Sequence, residues 1–268
     1  MFGVLSFIGF TVIVAVVSYA ATKKTNENTS DGYFLGGRSL TAGVIAGSLL
    51  LTNLSTEQIV GLNGAAFSEG ILVMAWETLA AIAMVVTAVY LLPRYLKSGL
   101  TTVPQFLSER FDVQTKTLTS VLFLSGYVIV LLPTILYSGL LVGGILIPIF
   151  GLLVIGEGSV MEGIATLQTN IPEKFNAIGT TSSSIPFATI FTGMMLVQLF
   201  YWGTNQQIIQ RALGAKNLEE GQKGLLLGAG IKILGPIIVV LPGMIAYYMS
   251  SIGMLDVGSP DESYGELV

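Results

Sequence analysis

Polar side chains set inside apolar sequence are the residues of this chain that could do chemistry, and four clusters hold them. Leu49 to Gly64 carries Thr52, Asn53, Ser55, Thr56, Glu57, Gln58 and Asn63 in an otherwise apolar stretch. Amide side chains there can bind solute hydroxyls, and carbonyls freed by local unwinding can hold a cation. The bland alternative is two short segments with a solvated loop between them. Glu77, beside Trp76, can engage vicinal hydroxyls or balance a cation, unless the pair sits at the headgroups as part of an aromatic belt. Phe200-Tyr201-Trp202 leads into Asn205, Gln206, Gln207 and Gln210; rings followed by amides suit a sugar face and its rim, or again a belt and a loop. Lys232 follows three glycines of a further apolar run. It either snorkels to the surface or packs inside and needs an acceptor.

The elements that must position these groups follow from composition. The 268 residues are 52% hydrophobic and 10% charged, with a mean hydropathy of +0.77, whereas soluble domains carry about 25% charged residues. The fold class expected is therefore all-α, a polytopic membrane protein with the lipid bilayer as its solvent. The absence of Cys and His excludes disulfides, thiol nucleophiles, His-based triads and His/Cys zinc sites. Acids lie scattered without a paired-carboxylate spacing, so no enzyme is expected. No Lys/Arg block with interleaved aromatics suggests a nucleic-acid partner.

A spanning helix needs about 20 apolar residues. The spans read are Phe2–Ala21, Ala42–Ala66, Ile71–Leu92, Leu118–Tyr137, Leu140–Ile155, Phe187–Gly203 and Leu225–Met249. Basic residues concentrate in 22–41, 93–117 and 205–224, while 156–186 holds only Lys174 among its acids. The positive-inside rule puts the first three in the cytoplasm and the N-terminus outside. That assignment does not close. Val121 to Ile155 is an apolar run of 35 residues, which as one helix would be roughly 52 Å long. Two crossings there reverse the charge bias, and three need about 60 residues. One or two helices are expected to be missing near 138–140.

Taken together, these stretches resemble the sodium:solute symporter family. The most specific match runs from Tyr201-Trp202-Gly203-Thr204-Asn205-Gln206-Gln207 through Arg211-Ala212-Leu213-Gly214-Ala215-Lys216 to Gly221-Gln222-Lys223-Gly224. Tyr33 to Leu40 is similar to the approach to the family's first core helix, and Asn53-Leu54-Ser55-Thr56-Glu57-Gln58 to the break in that helix. The similarity covers almost the whole chain.

The resemblance implies a single membrane domain over 1–268, part of a core of two inverted five-helix halves whose first helices are broken. It implies sodium-coupled symport of a sugar-like solute across the inner (plasma) membrane by alternating access. Asn53, Gln58, Glu77, Asn205 and Lys232 would bind substrate, with Tyr201 stacking on the sugar and Gln206 beside it. The carbonyls of Leu51 and Leu54 would supply part of a sodium site. Ala80 stands where sugar-transporting members have a hydroxyl, and Gln198 where they have Asn. The family's later sodium ligands are expected beyond Val268. The alternatives are a non-transporting fragment of such a symporter and a carrier for another small organic solute.

Overall fold

The computed structural model describes residues 2–23, 28–137 and 146–268. Among these the regular structure is helical, with one isolated bridge between Leu40 and Ala215. The expected missing segment at 138–140 lies outside the described residues, as do the side chains of Thr56 and Glu57. Two helical runs are long and apolar enough to cross a membrane, Gln58–Lys97 and Phe187–Thr204. Two bent pairs join them if each pair is one span: Leu146–Ile155 with Val160–Asn170 at 72°, and Leu218–Lys232 with Gly235–Ser251 at 47°.

The helices used below are α1 (Phe2–Thr22), α2 (Ala42–Asn53), α3 (Thr56–Glu69) and α4 (Ala75–Val86). They are followed by α5 (Val103–Arg110), α6 (Val113–Tyr137), α7 (Leu146–Ile155) and α8 (Val160–Asn170). The last four are α9 (Gly193–Thr204), α10 (Gln206–Leu213), α11 (Leu218–Lys232) and α12 (Gly235–Ser251). The run Gln58–Lys97 turns at Gly70, where φ is +72°, so α3 and the helix that follows it are separate elements.

Two breaks organise the rest. The expected span Ala42–Ala66 divides into α2 and α3 at Leu54 and Ser55 without a glycine or proline. Serine does this by local competition: its hydroxyl accepts the Gln58 backbone N–H and caps α3. The expected single span Leu225–Met249 is corrected to a bent pair. Pro236 has no N–H to return to the Lys232 carbonyl, so α11 stops at Lys232 and α12 starts afresh. The loop 156–186 also contains a helix that the sequence reading left out, α8, capped by Ser159 on the Glu162 N–H.

The halves sort by side of the break. α2 packs on α11, and α11 in turn on α4, closing an apolar cluster that includes Ile45, Leu49, Met84, Trp202 and Leu225. α3 packs on α12, in a second cluster with Ile59, Val239, Met244 and Ile245. The second crossing is tight because of Gly243, where a Cβ would stand 2.1 Å from the Asn63 carbonyl oxygen. Asn63 seals it, donating to Ile59 O at 2.7 Å and accepting from the Gly243 N–H at 2.9 Å. At the far end of α3, the Lys174 ammonium donates to the carbonyls of Phe67 (3.0 Å) and Ser68 (2.5 Å). It also lies 3.9 Å over the Tyr247 ring, tying the loop 156–186 to both α3 and α12.

Candidate functional site

Where the two clusters meet, the helix breaks leave a cavity of about 390 Å³, within the range of small-molecule sites. Asn53, Ser55 and Gln58 reach it from the α2–α3 break, Trp76, Glu77 and Ala80 from α4. Val197, Gln198, Tyr201 and Trp202 come from α9, and Lys232 from the end of α11. Glu77 and Lys232 are 0% and 2% exposed, and the Lys232 ammonium donates directly to Glu77 Oε2. The other carboxylate oxygen, Oε1, accepts from Gln58 Nε2 at 2.6 Å. Gly235 makes room for this: a Cβ there would lie 2.3 Å from Glu77 Oε2. Lys232 therefore does not snorkel. It is held inside by an acceptor one helix away.

Charge inside the cavity is thus cancelled by its own walls, since Lys232 is the one cation and Glu77 the one anion among the lining residues. Two acceptors are left over entirely. Asn53 Nδ2 donates to Tyr201 Oη at 3.2 Å, and Gln58 Nε2 is taken by Glu77. The amide oxygens Asn53 Oδ1 and Gln58 Oε1 are buried with no hydrogen-bond partner among the described residues. Buried acceptors in that condition are rare and point to a ligand's donors.

Beside the cavity, the α2–α3 break releases carbonyls. The Ser55 N–H goes to Asn53 O at 2.8 Å, so it does not engage Leu51 O as a continuing helix would. The Gln58 N–H goes to the Ser55 hydroxyl at 3.2 Å, so it does not engage Leu54 O. One serine frees both carbonyls expected at a sodium site.

Five of the seven substrate-binding residues expected from the sequence line the cavity: Asn53, Gln58, Glu77, Tyr201 and Lys232. Asn205 and Gln206 do not, and the reason is capping. Asn205 is the N-cap of α10, its side chain accepting from the Gln207 N–H at 3.0 Å. Gln206 Oε1 accepts from the Val103 N–H at 2.6 Å, at the start of α5, and its Nε2 donates to Gln210 at 3.2 Å. Gln206→Ala is expected to lower stability by about 0.5–1.5 kcal/mol, one net hydrogen bond, and to leave solute affinity unchanged. Thermal denaturation and equilibrium binding on one preparation check this; a large loss of affinity at full stability would return Gln206 to the cavity. Gln198 and Trp202 line the cavity as well, the first standing where sugar-transporting members have Asn and the second belonging to the ring cluster 200–202. Their signal was spacing, since 198, 201 and 202 share a helix face.

Helices broken beside a buried polar cavity define the fold of a multi-pass helical membrane protein. A solved structure described as the substrate-bound outward-open state of a Na⁺-coupled sialic acid symporter has this fold, with a TM-score of 0.79 and 18% identity. The match covers 100% of this chain and 65% of that one. A family model, "Sodium:solute symporter family", matches residues 33–147. An Escherichia coli K12 protein described as an uncharacterized symporter, YidK, is 40% identical over 99% of this chain and 55% of its own length. The sodium/glucose cotransporter of Vibrio parahaemolyticus is 29% identical (92% of this chain, 56% of the relative). The human sodium/myo-inositol cotransporter is 27% identical (88% and 42%). These matches make the chain similar to members of the sodium:solute symporter family. It spans about half the length of these relatives. The alignment with YidK also occupies 320 positions against a chain of 268 residues, so at least 52 positions inside it have no residue here.

Proposed function

We propose that this chain carries the solute cavity of a sodium-coupled symporter for a neutral, hydroxyl-rich solute, a sugar or cyclic polyol, in the inner membrane with its N-terminus outside. The observation that carries the reading is the cavity's polarity. Its fixed charges neutralise each other, and its unpartnered atoms, Asn53 Oδ1 and Gln58 Oε1, are acceptors. Hydroxyls supply the donors those oxygens lack. A carboxylate would bring a further negative charge to a cavity whose one cation is already engaged, at the cost of an unpaired buried charge. Tyr201 offers a ring face and an Oη within the same wall. The names of the Vibrio and human relatives support the solute class. The freed carbonyls of Leu51 and Leu54 support a sodium ion as the co-transported species, and the basic residues of 22–41, 93–117 and 205–224 support the orientation.

The test is equilibrium binding of labelled glucose, myo-inositol and sialic acid to the purified chain in nanodiscs, in sodium and in potassium. Saturable binding of glucose or myo-inositol, tighter in sodium, is expected. Tighter binding of sialic acid than of either neutral compound would overturn the solute class.

A second reading concerns transport itself. The alignment with YidK leaves at least 52 positions unfilled. This, with the charge pattern of the loops, supports a segment missing near 138–140, in which case this chain binds solute without carrying it. Proteoliposomes holding it should show no sodium-driven glucose uptake; uptake that follows the gradient and saturates would refute the deletion.

A further inference from the structure

The chain has two tryptophans, Trp76 and Trp202, and both line the cavity. One side chain connects them. Gln198 Nε2 donates to the Trp76 carbonyl at 2.9 Å, and Gln198 Oε1 accepts from the Trp202 indole N–H at 3.1 Å. Gln198 is 6% exposed and Trp202 1%, so neither bond competes freely with water. The first bond crosses from α9 to α4 one residue before Glu77. The second runs along α9 from residue 198 to residue 202, one helical turn. Both the carbonyl oxygen and the amide nitrogen of Gln198 are engaged within the protein.

We infer that Gln198 is a positioning residue of the cavity, a strut that fixes the Trp202 ring and sets the spacing of α9 from the α4 turn bearing Glu77. Length is the reason. Asparagine at 198 would be one methylene, about 1.5 Å, too short to hold both partners, and its freed amide would face the cavity. Residue 198 therefore decides whether this wall is apolar and rigid, with the indole held, or polar and adaptable. Specificity in such a site comes from which wall groups already have partners, because a solute is rewarded only by those that do not.

The inference takes the cavity to be the solute site proposed above. Its test uses no solute, so either can fail while the other stands. In a Trp76→Phe background Trp202 is the sole tryptophan, and the ultraviolet resonance Raman band that marks indole N–H hydrogen bonding should report a bonded indole. Adding Gln198→Met keeps the length and removes both bonds; adding Gln198→Asn keeps the amide and removes the reach. Either should shift that band to the free-indole position. Either should also raise the acrylamide quenching constant of Trp202 about fivefold, the population ratio set by one net hydrogen bond. A free-indole band in the Trp76→Phe protein itself would overturn the strut, and that measurement needs no variant at 198 to fold. So would an unchanged band and unchanged quenching in both Gln198 variants.

Discussion

Lys232→Met will destabilise the folded chain by about 3–5 kcal/mol, and Glu77→Leu will do the same, yet the double variant will recover most of the loss. These magnitudes are those of a buried ion pair stripped of one member. Both partners lie within the protein at 2% exposure or less, where two apolar clusters meet, so the survivor is left a largely desolvated charge. Removing both charges together leaves two well-packed apolar side chains, which in such sites is near neutral or stabilising. Gln58 is the complication, since its Nε2 loses its acceptor when Glu77 goes. Glu77→Gln/Lys232→Met, which keeps an acceptor for Gln58, should be the more stable of the two double variants. A denaturant titration in one detergent, arranged as a double-mutant cycle, reads the coupling directly. Additive losses would mean that the two residues are stabilised by something other than each other.

The second large effect is on solute affinity. Asn53→Leu and Gln58→Leu each delete an acceptor that a solute hydroxyl would satisfy, and leave that hydroxyl buried and unpaired. The cost is about 1–3 kcal/mol for each, or roughly 5- to 150-fold in dissociation constant. The two should differ in a second readout. Asn53→Leu releases Tyr201 Oη from its donor and leaves the ion pair alone, so stability should hold. Gln58→Leu takes a hydrogen bond from Glu77 and should lower stability as well. Binding of glucose and myo-inositol, measured beside thermal denaturation, separates these outcomes. If both variants bind as the unaltered chain does, the two amide oxygens are not where solute sits.

Much of this site was legible in the sequence, but not its wiring. The helix break was legible because seven polar residues in one apolar stretch have no other economical explanation, and the structure places the break among them, at Leu54–Ser55. The pairing of Glu77 with Lys232 was not, since those residues are 155 positions apart and only tertiary packing decides whether a lysine two turns into a span snorkels or turns inward. Asn205 and Gln206 stand apart from the cavity for a different reason: an amide at a helix start has the same appearance whether it caps the backbone or waits for a ligand. Two features had signals that were passed over. Gly235-Pro236 marked the bend in the seventh expected span, and Ser159 with Glu162 three residues on marked the start of α8.

The self-neutralising pair has an electrical consequence. A cavity whose walls carry one positive and one negative charge in contact moves no net charge when it reorients between the two faces of a membrane. For a symporter built on this cavity and loaded with a neutral solute, the membrane voltage would act on the sodium ion alone, at about 2.3 kcal/mol per charge for every 100 mV. The steepness of uptake against voltage would then count the ions carried per cycle. Neutralising Glu77 while leaving Lys232 charged would add a charge to the moving part, and should change that steepness even where the solute and the ion are the same.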